Sequence, residues 1–342
     1  MKPKNIVVLM GGISSEREVS LRSGNAVVNA LINAGFNVTR IDVKDKKIEE
    51  LDCMDVDVAF IALHGCFGED GDVQQLLESK GILYTGSGVK ASKLAMDKLA
   101  TKQRFIEAGL KTPDYITAMH FQEFSEVEAS VRKFSLPIII KPTKNGSSIG
   151  ISIVRDMEDL QTSLKNAFEV EYKVLIERYI QGREFTVGIL DDKALPIIEI
   201  KPATEFFNYE AKYRDDRTKY LVVEPALEKD EGAGLDSSSV GFLPPFLYRK
   251  AQQLAVNAHR VLDCRGFSRV DLMMDDCGEF YLLEVNTIPG FTEKSLLPKA
   301  AKAAGITFSE LCEKIVELAF RNFHYPTAFE DKLVTINESK QH

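Results

Sequence analysis

Arg269, Asp271, Glu284 and Asn286 are the residues of this sequence best placed to act together. They lie in two apolar runs, 267–273 and 279–286, joined by Asp275-Asp276-Cys277-Gly278, which is a hairpin signal. Residues two apart in a strand share a face. Arg269 and Asp271 therefore share one face of the first strand, and Glu284 and Asn286 one face of the second. A turn near Cys277 and Gly278 sets Asp271 roughly opposite Glu284. Two carboxylates, an amide and a guanidinium then meet on one surface. Oxygen ligands of this kind suit Mg²⁺, which takes one or two carboxylates and completes its shell with substrate phosphates. A solvated face of cross-strand ion pairs is the alternative. The Thr287-Ile288-Pro289-Gly290 turn, which brings a glycine backbone beside the same face, favours the site.

Two further segments carry polar chemistry. Lys141 ends an apolar strand and precedes Asn145-Gly146-Ser147-Ser148-Ile149-Gly150. Glycines in such a loop let successive N–H groups point at an anion, and Ser147 and Ser148 add hydroxyl donors. An ordinary hairpin turn is the competing reading. The G-x-x-x-x-G-K-[ST] phosphate loop is absent. The third segment, Val174-Leu175-Ile176-Glu177, runs into a short linker that can offer hydrogen-bonding groups to an adenine edge; alone it is a weak signal.

The elements that must position these residues follow from hydrophobic periodicity. Residues 5–10 read as a buried parallel strand ending at Gly11 and Gly12, 17–34 as an amphipathic helix, and 38–42 and 58–63 as further strands. That order is an α/β unit of roughly ninety residues. The first glycine turn lacks G-x-G-x-x-G, so no dinucleotide site is expected there. The spacing predicts one helix over 92–109, another over 126–134, and strands at 136–142 and 151–154. Two more strands are expected at 174–177 and 185–190. These elements look antiparallel, a second module over roughly 100–185. A third module spans 191–320, with a strand at 195–201, loops over 205–245, helices at 246–263, 294–304 and 308–322, and the hairpin.

Composition bounds the function. Of 342 residues, 43 are Lys or Arg against 51 Asp or Glu, a net charge of −8, which argues against a general nucleic-acid binder. A hydrophobic content of 44% excludes bulk disorder. No apolar run approaches the roughly 18 residues of a membrane helix, and the apolar stretch after Lys4 is too short for a signal peptide. The five cysteines are scattered singly, which is expected of reduced thiols in a cytoplasmic protein.

Six segments, taken in order, resemble the ATP-grasp superfamily and, within it, the D-alanine–D-alanine ligases. They are Gly11 to Ser20, Ala62 to Gly71, Tyr84 to Gly88, Met96-Asp97-Lys98, Tyr209 to Tyr213, and Arg269 to Asp271 with Glu284 to Gly290. The resemblance covers about residues 4–320. It implies an ATP-grasp fold of mixed α/β and α+β class: an N-terminal parallel α/β substrate-binding domain (1–95), a small central antiparallel domain (96–190), a C-terminal α+β catalytic domain (191–322) and a polar tail (323–342). It implies that Lys98, Lys141 and Lys212 hold ATP phosphates beside Ser148. Glu177 and the linker Arg178, Tyr179 and Ile180 would hold adenine, and Glu184 the ribose. Asp271, Glu284 and Asn286 would bind two Mg²⁺ ions, for which Mn²⁺ can substitute. Glu16 would engage the first D-alanine with His64 nearby, and Ser147 and Tyr213 would join Glu16 in tying the loops over the site. Arg269 and the Gly290 backbone would meet an oxyanion. Ser295 and the Leu296 backbone would bind the carboxylate of the second D-alanine. A cytoplasmic homodimer serving peptidoglycan synthesis is implied as well. Related ligases use D-lactate or D-serine second, and Tyr213 resembles the residue type that goes with D-alanine. A rival from another class is a non-catalytic ATP-binding regulatory protein of the same fold.

Overall fold

The computed structural model describes residues 4–144, 146, 150–202, 218–225 and 241–324. Ser147, Ser148, Lys212 and Tyr213 lie outside the described residues.

The N-terminal unit is built on β1 (Asn5–Gly11), α1 (Arg17–Asn33), β2 (Asn37–Val43), β3 (Val58–Ile61), α2 (Asp72–Ser79), β4 (Leu83–Tyr84) and α3 (Val89–Met96). Its four strands are parallel in the order β2-β1-β3-β4. β1 is apolar from Ile6 to Met10 because both of its faces are covered. Val7 and Leu9 pack with Val73 and Leu77, while Ile6 and Val8 pack with Val27 and Leu31.

The central unit follows with α4 (Lys98–Glu107), β5 (Tyr115–Met119), α5 (Phe124–Val131), β6 (Ile138–Pro142), β7 (Ser152–Val154), α6 (Leu160–Phe168) and β8 (Lys173–Arg178). Its sheet is antiparallel in the order β5-β8-β6-β7, with its own core of Val131, Ile138, Ile140, Leu164 and Ile176.

The third unit contains β9 (Gly182–Leu190), β10 (Lys193–Lys201), β11 (Lys219–Val222), β12 (Glu224–Pro225), β13 (Phe242–Leu243), α7 (Pro245–Val261), β14 (Phe267–Asp275), β15 (Phe280–Asn286), α8 (Leu296–Ala303) and α9 (Phe308–His324). Five of these strands form an antiparallel sheet in the order β11-β10-β9-β14-β15. β12 and β13 pair separately.

Three expectations change. The helix expected over 92–109 is two, because Asp97 turns extended and its side chain accepts the N–H groups of Leu99 and Ala100, starting α4 afresh. The strands expected at 174–177 and 185–190, read as parts of one antiparallel module, belong to different sheets. β8 pairs with β5 and β6, whereas β9 pairs with β10 and β14. Gly182 permits this crossing, since a Cβ there would lie 2.0 Å from the Met274 carbonyl oxygen. Within the stretch expected as loops, Lys219–Val222 is an edge strand on β10.

Candidate active site

The hairpin places its polar residues as strand periodicity predicts. Asp271 lies directly across from Glu284, and Arg269 across from Asn286, with a bulge after Asp271. Arg269 grips Asp271 with two parallel bonds, Nε to Oδ1 at 3.0 Å and Nη2 to Oδ2 at 2.8 Å. Thr186 Oγ1 donates to the same Oδ1 at 2.6 Å from the adjoining β9. Asn286 turns its carbonyl oxygen to the Ile288 N–H at 2.9 Å.

Arg269, Glu284 and Asn286 border a cavity of about 860 Å³ between the N-terminal and C-terminal units. Its lining includes Glu16, His64, Lys98, Gly146, Arg269, Glu284, Asn286, Gly290, Ser295 and Leu296. Residues far apart in sequence and drawn from all three units therefore share one space. A second hollow, of about 710 Å³, adjoins it at Glu16, Met96 and Gly146.

On the N-terminal side, Glu16 is buried at the N-cap position of α1 without capping the helix. Its backbone N–H donates to Ser14 Oγ at 3.2 Å, and Ser14 Oγ donates to the His64 carbonyl at 2.7 Å. Gly65, at φ +66°, makes room: a Cβ there would stand 2.8 Å from Glu16 Oε2. The buried His64 ring lies between Glu69 Oε1, 3.4 Å from Nδ1, and Ser23 Oγ, 3.3 Å from Nε2. Ser23 Oγ also accepts the Phe291 N–H at 3.2 Å, next to Gly290. Ser295 stands at the N-cap of α8 without capping it. Its Oγ instead accepts the Thr292 N–H at 3.1 Å.

Lys141 and Glu177 meet in the central unit, Nζ to Oε2 at 2.8 Å. Both are buried. Burial alone would push the Glu177 carboxyl up, but Lys141 and Lys102 outweigh it and hold the group below the ordinary range. Lys102 is itself forced down to about 8 by burial, against the attraction of Glu177. Arg178 Nη2 donates to Tyr281 Oη at 2.9 Å, Tyr179 lies under Arg155, and Ile180 is buried. Glu184, in register with Met273 on β14, is near Tyr220, whose phenol burial raises to about 12.

Sequence reasoning missed Lys102, Thr186, Ser23, Glu69 and Tyr220. Two left a signal. Lys102 is one helical turn past Lys98, and Ser23 interrupts the apolar stripe of α1 at i+4 from Val19. Thr186 was legible only once β9 was known to neighbour β14.

Among the described residues no three His, Cys, Asp or Glu side chains converge as a metal cage. Asp271 and Glu284 are cross-strand partners, and Asn286 follows Glu284 by two positions on the same strand. That oxygen set is of the kind that would suit Mg²⁺ together with substrate phosphates. No helix among the described residues is long and apolar enough to cross a membrane.

The chain is similar to known proteins along nearly all of its length. The model of the D-ala D-ala ligase C-terminus matches residues 105–317, and that of the N-terminus matches residues 42–87. The D-alanine–D-alanine ligase of Syntrophotalea carbinolica is 46% identical over 92% of this chain and 96% of its own. That of Citrifermentans bemidjiense is 46% identical over 93% and 97%. Among solved structures, the Bacillus anthracis D-alanine–D-alanine ligase complexed with ATP superimposes with a TM-score of 0.79 at 36% identity, covering 95% of this chain and 100% of that one. With an ATP-grasp arrangement of three units and one shared cavity, this chain belongs to the D-alanine–D-alanine ligase family.

Proposed function

We propose that the protein joins two D-alanine molecules at the expense of ATP, releasing ADP and phosphate, as a step in supplying peptidoglycan precursors. The observation that carries this reading is the cavity in which Glu16 and His64 face Arg269, Glu284, Asn286 and Ser295. An amine-binding carboxylate, a phosphate-end oxygen set and an anion-binding guanidinium are the groups a carboxylate–amine ligation needs.

A carboxylate is a poor electrophile and must first be activated. An oxygen of the first D-alanine attacks the γ-phosphorus, the bond from that phosphorus to the β,γ-bridging oxygen breaks, and ADP leaves. Lys98 and Lys141, with Lys212 and Ser148, hold the phosphates. Glu177, Arg178, Tyr179 and Ile180 hold adenine, and Glu184 the ribose. Asp271, Glu284 and Asn286 would hold Mg²⁺, which supplies charge neutralisation to the transferring phosphoryl group when bound. Glu16 pairs with the first substrate's ammonium group, oriented by Ser147 and Tyr213. Ser295 and the Leu296 N–H hold the second substrate's carboxylate. Its amine, arriving neutral, attacks the acyl carbon and gives up one proton to the departing phosphate. Arg269 and the Gly290 N–H stabilise the oxyanion, and the acyl–oxygen bond to phosphate then breaks. Closure over the site keeps water from the acyl phosphate.

The test is an assay of purified protein with ATP, Mg²⁺ and D-alanine. ADP, phosphate and D-alanyl-D-alanine are expected in equal amounts, with Mn²⁺ supporting turnover. ATP binding without turnover would favour the regulatory reading instead. Substitution of D-lactate for the second D-alanine is expected to lower kcat/KM, and Tyr213→Phe to narrow that difference. The same reading carries a cytoplasmic homodimer, to be checked by light scattering.

A further inference from the structure

The Lys102–Glu177–Lys141 cluster buries one more cation than anion, and the reaction above leaves Lys102 without a part. Its ammonium is 0% exposed. Nζ donates to Thr112 Oγ1 at 2.5 Å and to the Pro113 carbonyl at 3.3 Å. Thr112 Oγ1 passes the bond on to the Leu282 carbonyl at 2.8 Å, and the Leu282 N–H donates to the Lys111 carbonyl at 2.9 Å. Leu282 is two residues before Glu284 on β15. The ammonium is thus tied through Thr112 to the strand that carries a metal-binding carboxylate.

Its remaining contact is an ion pair with Glu177 Oε1 at 2.9 Å. Lys102 is that oxygen's one partner among the described residues, and Glu177 is 1% exposed. Its fellow, Oε2, is taken by Lys141 at 2.8 Å. A carboxylate oxygen paired with one donor keeps a second lone pair that another donor can fill. The 6-amino group of a purine is such a donor. A 6-oxo group presents lone pairs at the same place and is repelled by a carboxylate. Discrimination depends on that oxygen staying where it is, and a carboxylate paired with Lys141 alone, without Lys102, is free to turn.

We propose that Lys102 is a positioning residue: by anchoring Glu177 to β15 it fixes the carboxylate oxygen that selects 6-amino over 6-oxo purine nucleotides. This rests on the reading of Glu177 as the base contact. Lys102 touches no substrate.

The test compares kcat/KM for ATP and inosine triphosphate at saturating D-alanine in wild type, Lys102→Met, Thr112→Val and Glu177→Gln. In wild type, ATP is preferred. Lys102→Met lowers the ATP-to-inosine ratio roughly tenfold, through KM for ATP rather than kcat. Thr112→Val keeps the charge but cuts the tether, and lowers the ratio roughly threefold; it decides the matter if Lys102→Met does not fold. An equal loss with both nucleotides, or an unchanged ratio in both variants, overturns the proposal. If Glu177→Gln alone moves the ratio, Lys102 loses its role and the base contact stands. If Glu177→Gln also leaves it unchanged, the base contact fails and the proposal with it.

Discussion

Asp271 has two claims on one carboxylate. Arg269 and Thr186 occupy its oxygens in the structure, while the oxygen set with Glu284 and Asn286 suits a divalent cation. The charge is what both partners need, so Asp271→Asn keeps shape and loses function. Turnover is expected to fall by about 10² or more, since the developing phosphoryl charge loses several kcal/mol of stabilisation. The circular dichroism spectrum should remain that of the wild type. Near wild-type kcat with unaltered Mg²⁺ dependence would show the hairpin face to be a solvated ion-pair surface. Lys102 offers a stability test with a definite sign. Its folded-state pKa, about 8, lies below the ordinary 10.5 because burial disfavours the ammonium. Between those values the unfolded chain holds more protons than the folded one, so stability rises with pH across the window. The cost of the buried charge is present in full below pH 8 and is removed as pH climbs towards 10.5, a ceiling of about 3 kcal/mol. Urea unfolding at pH 7.5 and 9.5 should show wild type gaining on Lys102→Met. A flat or falling difference would mean that this lysine does not titrate there.

At the scale of elements, short interruptions aim the side chains. Asp97 breaks a Lys- and Ala-rich run so that Lys98 and Lys102, one turn apart, both face inward on α4. Gly65 bends the chain after His64 at φ +66°, and only the missing Cβ leaves Glu16 its place. Gly65→Ala is therefore expected to cost about 1–2 kcal/mol of stability from the left-handed backbone. Because the clashing atom is the end of a flexible side chain, the larger effect falls on Glu16. KM for D-alanine should rise roughly tenfold, the size of one charge-assisted hydrogen bond. A rise in KM no greater than the change at saturating substrate would remove Glu16 from the amine site. What was legible in the sequence divides along the same line. The pairing of Asp271 with Glu284 followed from a period of two and one turn, both local. The sheet that β9 joins did not, since it depends on Gly182 approaching Met274, more than ninety positions away in the chain. The Asp97 cap was equally hidden: an aspartate in a helical pattern reads as a solvated position until the backbone is seen to turn extended. The motif order carried the family, but it could not show that Lys102 lies against Glu177.

The whole molecule depends on a shared core between its first and third units. Phe291, fully buried beside Gly290, meets Phe60 of β3 edge-on, with ring centroids 5.3 Å apart at 86°, and Phe267 of β14 at 5.3 Å and 89°. Its N–H also bonds Ser23, whose hydroxyl touches the His64 ring. One side chain thus couples two sheets and both walls of the cavity. Phe291→Ala removes a large buried ring that no neighbour can replace, at a cost of about 3–5 kcal/mol. Leu164→Ala, in the separate core of the central unit, serves as a control with about 2–5 kcal/mol. Both should lower the urea midpoint. Only Phe291→Ala should raise KM for D-alanine, because Glu16 and His64 approach Gly290 and Ser295 from opposite sides of the interface it fills. If the two variants lose stability but share a wild-type KM, the cavity walls are held in register by the backbone alone, and the aromatic ladder is core without a part in the site.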